Sequence, residues 1–200
     1  MDALAFSHGE LTNFTNIARD CGVDAKTVKE YYQILVDTLL GYFLNPYKKK
    51  RRRDISTTPK FYLFDIGIVN TLVKRSIHSL KGTEAGKAFE QFIFMELIAY
   101  KGLNDYDFDI TFWRTKTGFE VDFILGDAEV AIEVKINDYV DKTELKGLIA
   151  FNEEHKPKQS LVVSLDPRPR KIIIGLQNEI LILPWQVFLQ RLWGNEIIIN

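Results

Sequence analysis

The stretch Phe119-Glu120-Val121-Asp122-Phe123-Ile124-Leu125-Gly126-Asp127-Ala128-Glu129-Val130-Ala131-Ile132-Glu133-Val134-Lys135 decides the fold. Its two apolar runs are rich in β-branched and aromatic residues and are parted by Gly126-Asp127, so they read as strands Phe119–Leu125 and Ala128–Lys135. A period of two puts Glu120 and Asp122 on one face of the first strand. In the second, Glu133 and Lys135 share one face while Val130, Ile132 and Val134 take the other. With Gly126-Asp127 as a two-residue turn, Asp122 faces Ala131 and Glu120 faces Glu133, which sets Asp122 diagonal to Glu133. Carboxylates crowded on one sheet face repel by about 0.2–1 kcal/mol per opposed pair, and by more where water is excluded. A cation is therefore expected among them. Lys135 supplies one charge, and oxygen ligands from separate strands also suit Mg²⁺ or Mn²⁺.

Around this hairpin the chain alternates helix and strand. Expected elements are a helix over Thr83–Tyr100, a strand Ile110–Thr115, a helix Asp141–Glu154, strands Ser160–Leu165, Ile172–Gly175 and Ile180–Leu183, and a final helix opened by Pro184. Helices flanking a central mixed sheet make the class α/β. The Gly86–Leu97 run is apolar nearly all round, as a helix packed on a sheet should be, and is expected to cover the carboxylate face. Glu90 and Glu96 stand out on it; Glu90 is the candidate for the site, and an edge ion pair with Arg114 or a lysine suits Glu96. Gly82-Thr83-Glu84-Ala85-Gly86-Lys87-Ala88 imitates a phosphate loop, but its glycines are four apart and Ala88 replaces the magnesium-binding hydroxyl. ATP hydrolysis by this chain alone is not expected.

The N-terminal part reads as a helix-turn-helix. Phe14, Ile17, Ala18 and Cys21 repeat at helical spacing up to Gly22, a C-cap residue; Asp24 caps a second helix whose stripe is Val28, Tyr31, Tyr32, Leu35, Val36 and Leu39. Strands Gly41–Leu44 and Lys60–Phe64 then form a hairpin wing, and Asp65 caps a short helix. Between Asn45 and Lys60 lie seven of the chain's 26 Lys and Arg residues with one acid, so the remainder is acidic. The run Lys48, Lys49, Lys50, Arg51, Arg52 and Arg53 is either a solvated loop or a clamp on DNA phosphates, the two readings being evenly matched. The second helix exposes Lys26, Lys29, Glu30, Gln33 and Asp37, a mixture that favours protein contact over DNA for the helix itself. Two domains are expected, 1–81 and 82–200.

Composition sets the bounds. The 200 residues are 46% hydrophobic and 26% charged, which fits a folded globular chain. No apolar run approaches the roughly 18–20 residues of a membrane helix, and Met1-Asp2-Ala3-Leu4 lacks a signal-peptide pattern, so a cytoplasmic location is expected. A single cysteine, Cys21, and three scattered histidines argue against disulfides and zinc.

Asp122 followed by Glu133-Val134-Lys135, with a glutamate on the preceding helix, resembles the PD-(D/E)XK nuclease superfamily. Phe61-Tyr62-Leu63-Phe64-Asp65-Ile66-Gly67, Ala88-Phe89-Glu90, Phe112-Trp113-Arg114-Thr115, Glu120-Val121-Asp122-Phe123 and Ile132-Glu133-Val134-Lys135 together resemble the C-terminal half of prokaryotic AAA-type ATPases, in which a winged helix precedes a nuclease-like domain of unknown function. The resemblance implies that Asp122 and Glu133 bind Mg²⁺ or Mn²⁺, that Lys135 acts on the attacking water and that Glu90 is an auxiliary metal acid. Lys142 and Lys146 become further candidates for phosphate contact. It also implies an ATPase domain in cis or in trans. Two functions follow as expectations: a metal-dependent DNA nuclease, or a non-catalytic regulatory module that docks a protein partner and keeps an inherited carboxylate cluster.

Overall fold

A computed structural model describes residues 2–49, 53–77, 79–175 and 178–197. The chain is a mixed α/β protein that divides into two compact units, 1–46 with 57–78 and 47–56 with 79–200.

In the first unit, helices α1 (Asp2–Phe6), α2 (Phe14–Cys21) and α3 (Ala25–Asp37) are followed by the antiparallel strands β1 (Gly41–Pro46) and β2 (Lys60–Leu63) and by helix α4 (Ile66–Leu72). Local chemistry sets these bounds. Asn13 and Asp24 cap α2 and α3, the Asp24 carboxylate accepting from Lys26 N and Thr27 N at 2.8 and 2.9 Å. Gly22 ends α2 at φ 68°, where a side chain would be strained. The core is Leu4, Ala18, Val28, Tyr32, Phe61, Leu63 and Val69. Two members of the expected α3 stripe do not join it: Tyr31 and Leu39 are exposed, Tyr31 because it rides the outer flank of the helix and Leu39 because it lies past the C-terminus at φ 60°.

The second unit contains α5 (Gly82–Leu103), β3 (Ile110–Arg114), β4 (Glu120–Leu125), β5 (Val130–Lys135), a 3₁₀ turn (Lys142–Leu145) leading into α6 (Lys146–His155), β6 (Gln159–Ser164), β7 (Arg170–Ile174), β8 (Asn178–Pro184) and α7 (Trp185–Trp193). Its strand order is β3-β4-β5-β6-β8-β7. Neighbours are antiparallel except β5/β6 and β6/β8. The parallel step at β5/β6 is made by the crossover through α6.

The β4–β5 register departs from the two-residue turn. Leu125 pairs with Val130 and Ile124 with Ala131, so the turn takes four residues, 126–129. Gly126 and Ala128 adopt φ 60° and 58°, and Glu129 N closes the turn onto Leu125 O at 3.0 Å. The slip is two residues, and an even slip keeps Ile124 with Ala131 on the expected face. Its effect is to bring Asp122 level with Glu133 rather than diagonal to it. Further back along β4 the alternation breaks, because Thr111 pairs with Ile124 but Trp113 with Val121: one extra residue puts Val121 on the face of Ile124 and turns Glu120, opposite Arg114, to the other.

The segment 47–56 was expected at the tip of a wing in a continuous domain 1–81, but it belongs to the second unit. Its described ends bond the main chain at β3: Tyr47 N donates to Phe112 O, Ser56 N to Arg114 O, and Lys116 N returns a bond to Asp54 O. Unpaired edge groups attract such a strap because each bond satisfies a donor or acceptor that would otherwise need water. Among the described residues no helix is long and apolar enough to cross a membrane.

Candidate functional site

The site forms where two neighbouring strands part. β4 and β5 each run six residues, yet their paired positions end at Phe123 and Ile132. Just past that point the Asp122 carboxylate takes over from the ladder, its Oδ2 accepting from Val134 N at 2.8 Å. A side-chain oxygen standing in for a main-chain carbonyl keeps the buried N–H satisfied while the strands diverge. Glu120 and Asp122 line one prong of the resulting fork, and Glu133 and Lys135 line the other.

Glu133 and Lys135 share the face of Ala131, which packs with Leu145, Leu148 and Phe151 around α6. Helix α5 packs on the other face, where Phe94 stacks on Phe123 with ring centroids 5.7 Å apart. Glu120, opposite Arg114, takes the face on which α5 packs, whereas for Glu133 and Lys135 the expectation that the Gly86–Leu97 helix covers them is corrected. Gly147 explains why α6 closes there instead: a Cβ at that position would lie 1.9 Å from Glu120 O, so this helix rests directly on the β4 backbone. A Cβ on Gly86 would make only ordinary contact with Ile136, at 3.9 Å. A glycine inside a helix, disfavoured by about 1 kcal/mol against alanine, was the readable sign of this close approach.

The electrostatics follow from burial. Glu133 Oε1 accepts from Lys135 Nζ at 2.7 Å, whereas Glu133 Oε2 is buried without a hydrogen-bond partner. Burial raises the Glu133 pKa; the Lys135 ammonium opposes the rise, and the charges of Glu120 and Glu90 add to it. For Lys135 burial acts downward, but the carboxylates of Glu133 and Asp122 outweigh it and hold the ammonium well above the usual lysine range. Glu144 adds to that hold, and sequence reasoning missed it: its carboxylate accepts from Asn137 Nδ2 at 2.6 Å and from Asp141 N at 3.0 Å.

These directions set a pH test. The folded state binds the Glu133 proton more tightly than the unfolded chain, so stability falls as pH rises from the ordinary glutamate value of 4.5. Across urea titrations from pH 4 to 7, Glu133→Gln is expected to gain stability relative to the native protein. A relative loss would show that the ion pair with Lys135 outweighs burial.

The other sequence candidates are placed as follows. Glu90, on α5, is half-buried and close enough for its charge to act on Glu133. Glu96 accepts from Trp193 Nε1 at 3.0 Å, in place of the expected ion pair with Arg114 or a lysine, and Arg114 pairs with Glu120 at 2.9 Å. Lys142 Nζ donates to Ile173 O, and Lys146 is exposed. In the basic run, Lys48 is exposed, Lys49 pairs with Asp127, and Arg53 Nη1 meets Glu154 Oε2 at 2.7 Å. Lys50, Arg51 and Arg52 lie outside the described residues.

As a cation site, the fork offers hard oxygen donors and one orphaned buried oxygen, which is the donor chemistry of Mg²⁺. Among the described residues no three His, Cys, Asp or Glu side chains gather to hold an ion. An ion here would take Asp122 and Glu133 and complete its shell with water or substrate oxygens.

Comparison with known proteins places both units. The model of the domain of unknown function DUF4143 matches residues 85–185, and that of the domain of unknown function DUF8612 matches residues 1–79. The uncharacterized proteins Mb2031c of Mycobacterium bovis and Rv2008c of Mycobacterium tuberculosis are each 25% identical over 199 residues, covering 90% of this chain and 43% of their own. The chain therefore spans less than half the length of these curated relatives. No solved structure matches.

Proposed function

We propose, from the premise that this chain belongs to the DUF4143 domain family, that the fork between β4 and β5 is a PD-(D/E)XK-type site hydrolysing DNA phosphodiesters. The observation that carries the reading is the orphaned Glu133 oxygen beside Asp122 and Lys135, a buried charge arrangement that a divalent cation would complete. Asp122 and Glu133 would hold Mg²⁺ or Mn²⁺, with Glu90 as the auxiliary acid. The ion, when bound, would polarise the phosphate and acidify a water. Lys135, kept as an ammonium by its carboxylates, cannot take a proton at neutral pH. Its role is to orient the water and to offset negative charge that grows on the phosphoryl oxygens. In this reading the first unit is a winged helix, and an ATPase domain, in cis or in trans, works with the pair.

A separate observation favours protein docking for the first unit. A cavity of about 410 Å³ lies between α2 and α3, lined by Leu4, Ile17, Cys21, Val28, Tyr31 and Leu35. Tyr31 and Ile34 are 63% and 54% exposed beside it. An α3 surface that is apolar and of mixed charge suits a protein partner better than a phosphate backbone.

Millimolar Mg²⁺ or Mn²⁺ is expected to raise the melting temperature by several degrees, since a ligand at a hundred times its Kd adds about 2.7 kcal/mol to native stability. Glu133→Gln should abolish the rise. Lys135→Ala should leave much of it and remove cleavage of duplex, single-stranded or branched DNA. Metal stabilisation without cleavage would assign the inherited, non-catalytic role, and no metal response would sink the site.

A further inference from the structure

The loop that follows β5 presents an aromatic ring to solvent on a rigid mount. Tyr139 is 66% exposed, and the Arg170 guanidinium lies over its ring, 4.2 Å from the centroid. Arg170 is itself fixed: Nε donates to Asp166 Oδ1 at 2.7 Å and Nη2 donates to Val140 O. Asp166 is buried, and its Oδ2 accepts from Ser164 Oγ at 2.8 Å and from Val140 N at 3.2 Å. Leu165 N donates to Asn137 O, tying the loop to the end of β6. One side of the ring is thus held by a cation whose position is set by a buried carboxylate.

The placement adds a direction. Tyr139 is four residues beyond Lys135, so even a fully extended chain keeps it within about 14 Å of the fork. Both lie at the carboxyl end of β5, at the start of the crossover to a parallel neighbour, where open α/β sheets bind ligands. A flat ring with two rotatable bonds, held against a guanidinium, costs little entropy to stack and offers a π face to any base.

We infer that the Tyr139–Arg170 pair is a stacking platform for an unpaired base of the strand whose phosphate occupies the Asp122–Glu133–Lys135 fork. The inference rests on reading that fork as a phosphodiester site and narrows its substrate to nucleic acid with a single-stranded or splayed end. Asp138 and Asp141 flank Tyr139 and its neighbour Val140 in sequence, and together with Asp166 they balance Lys142, Arg168 and Arg170. Recognition at this point therefore comes from stacking rather than net charge, and its salt dependence is shallow.

The test measures binding of a labelled single-stranded oligonucleotide, the same strand with an abasic site, and a duplex, all in EDTA. Tyr139→Ala should weaken single-strand binding about 5- to 150-fold, the worth of one stacked base, while Tyr139→Phe retains it and duplex binding changes little. An unchanged Tyr139→Ala affinity, an equal loss on the abasic strand, or no strand binding by the native protein would each overturn the platform. Mg²⁺-dependent cleavage and the metal-induced melting shift are followed alongside. Cleavage without Tyr139-dependent binding overturns the platform alone, and Tyr139-dependent binding without a metal response overturns the hydrolytic reading of the fork alone.

Discussion

Gly147→Ala is expected to destabilise the protein by about 3 kcal/mol or more, at the upper end of what an added methyl costs in a packed interior. The added Cβ would stand 1.9 Å from Glu120 O and 2.9 Å from Glu120 N and C, all backbone atoms that cannot swing aside like a flexible side chain. Relief requires α6 to lift from β4, taking Leu145, Leu148 and Phe151 out of their shared core with Val121, Ala131 and Val162. The same lift would widen the fork at Glu120. Urea denaturation measures the effect, and Gly102 supplies the control. It lies in α5 with open space where its Cβ would be, so Gly102→Ala should stabilise by about 0.5–1 kcal/mol. A Gly147→Ala midpoint within error of the native one would show that the helix sits further from the strand.

Arg53→Met should cost about 3 kcal/mol. Arg53 Nη1 meets a Glu154 side chain that has no solvent exposure, the Arg53 main-chain N–H reaches the same carboxylate at 3.2 Å, and the guanidinium also bonds Ala150 O and covers the Phe119 ring. Methionine keeps the stem's packing but takes the guanidinium away from a buried carboxylate. Adding Glu154→Gln should recover a large part of the loss, because the neutral amide no longer needs the guanidinium; additive effects would deny the coupling. This pair also changes how the basic run is to be probed for DNA binding. Replacing Lys48 to Arg53 together by Ser would weaken the fold and any phosphate contact at once, whereas Lys48→Ser, at an exposed position, isolates the second.

What could be read in advance follows a physical division. The caps at Asp24 and Asp65, the stop at Gly22 and the strand alternation of Glu133 and Lys135 are local properties, set within a few residues, and the helices and strands formed close to where those signals put them. The two-residue slip at the β4–β5 turn was not legible, because Ala128 takes a left-handed conformation that its residue type does not advertise. Nor was the choice between α5 and α6 as cover for Glu133 and Lys135: a helix apolar all round carries no stripe to show which side meets the sheet. Tyr139, Asp166 and Arg170 come together from the loop after β5, the loop after β6 and the start of β7, a tertiary arrangement without a sequence period.

The strap 47–56 makes the chain a poor subject for division. Its residues belong with one unit, while the strands on either side belong with the other, so the backbone passes between the units at 46/47, 56/57 and again at 78/79. Excising residues 82–200 at the apparent linker would remove Tyr47, whose ring packs edge-on against Phe151 and His155, together with the guanidinium that faces Glu154 and the main chain that lines β3. Such a piece would present an uncovered aromatic cluster, a buried acid with no counter-ion from Arg53 and a raw sheet edge, the three conditions under which an excised domain aggregates. Insolubility of that fragment would then reflect where the cut was made, not an inability of the second unit to fold.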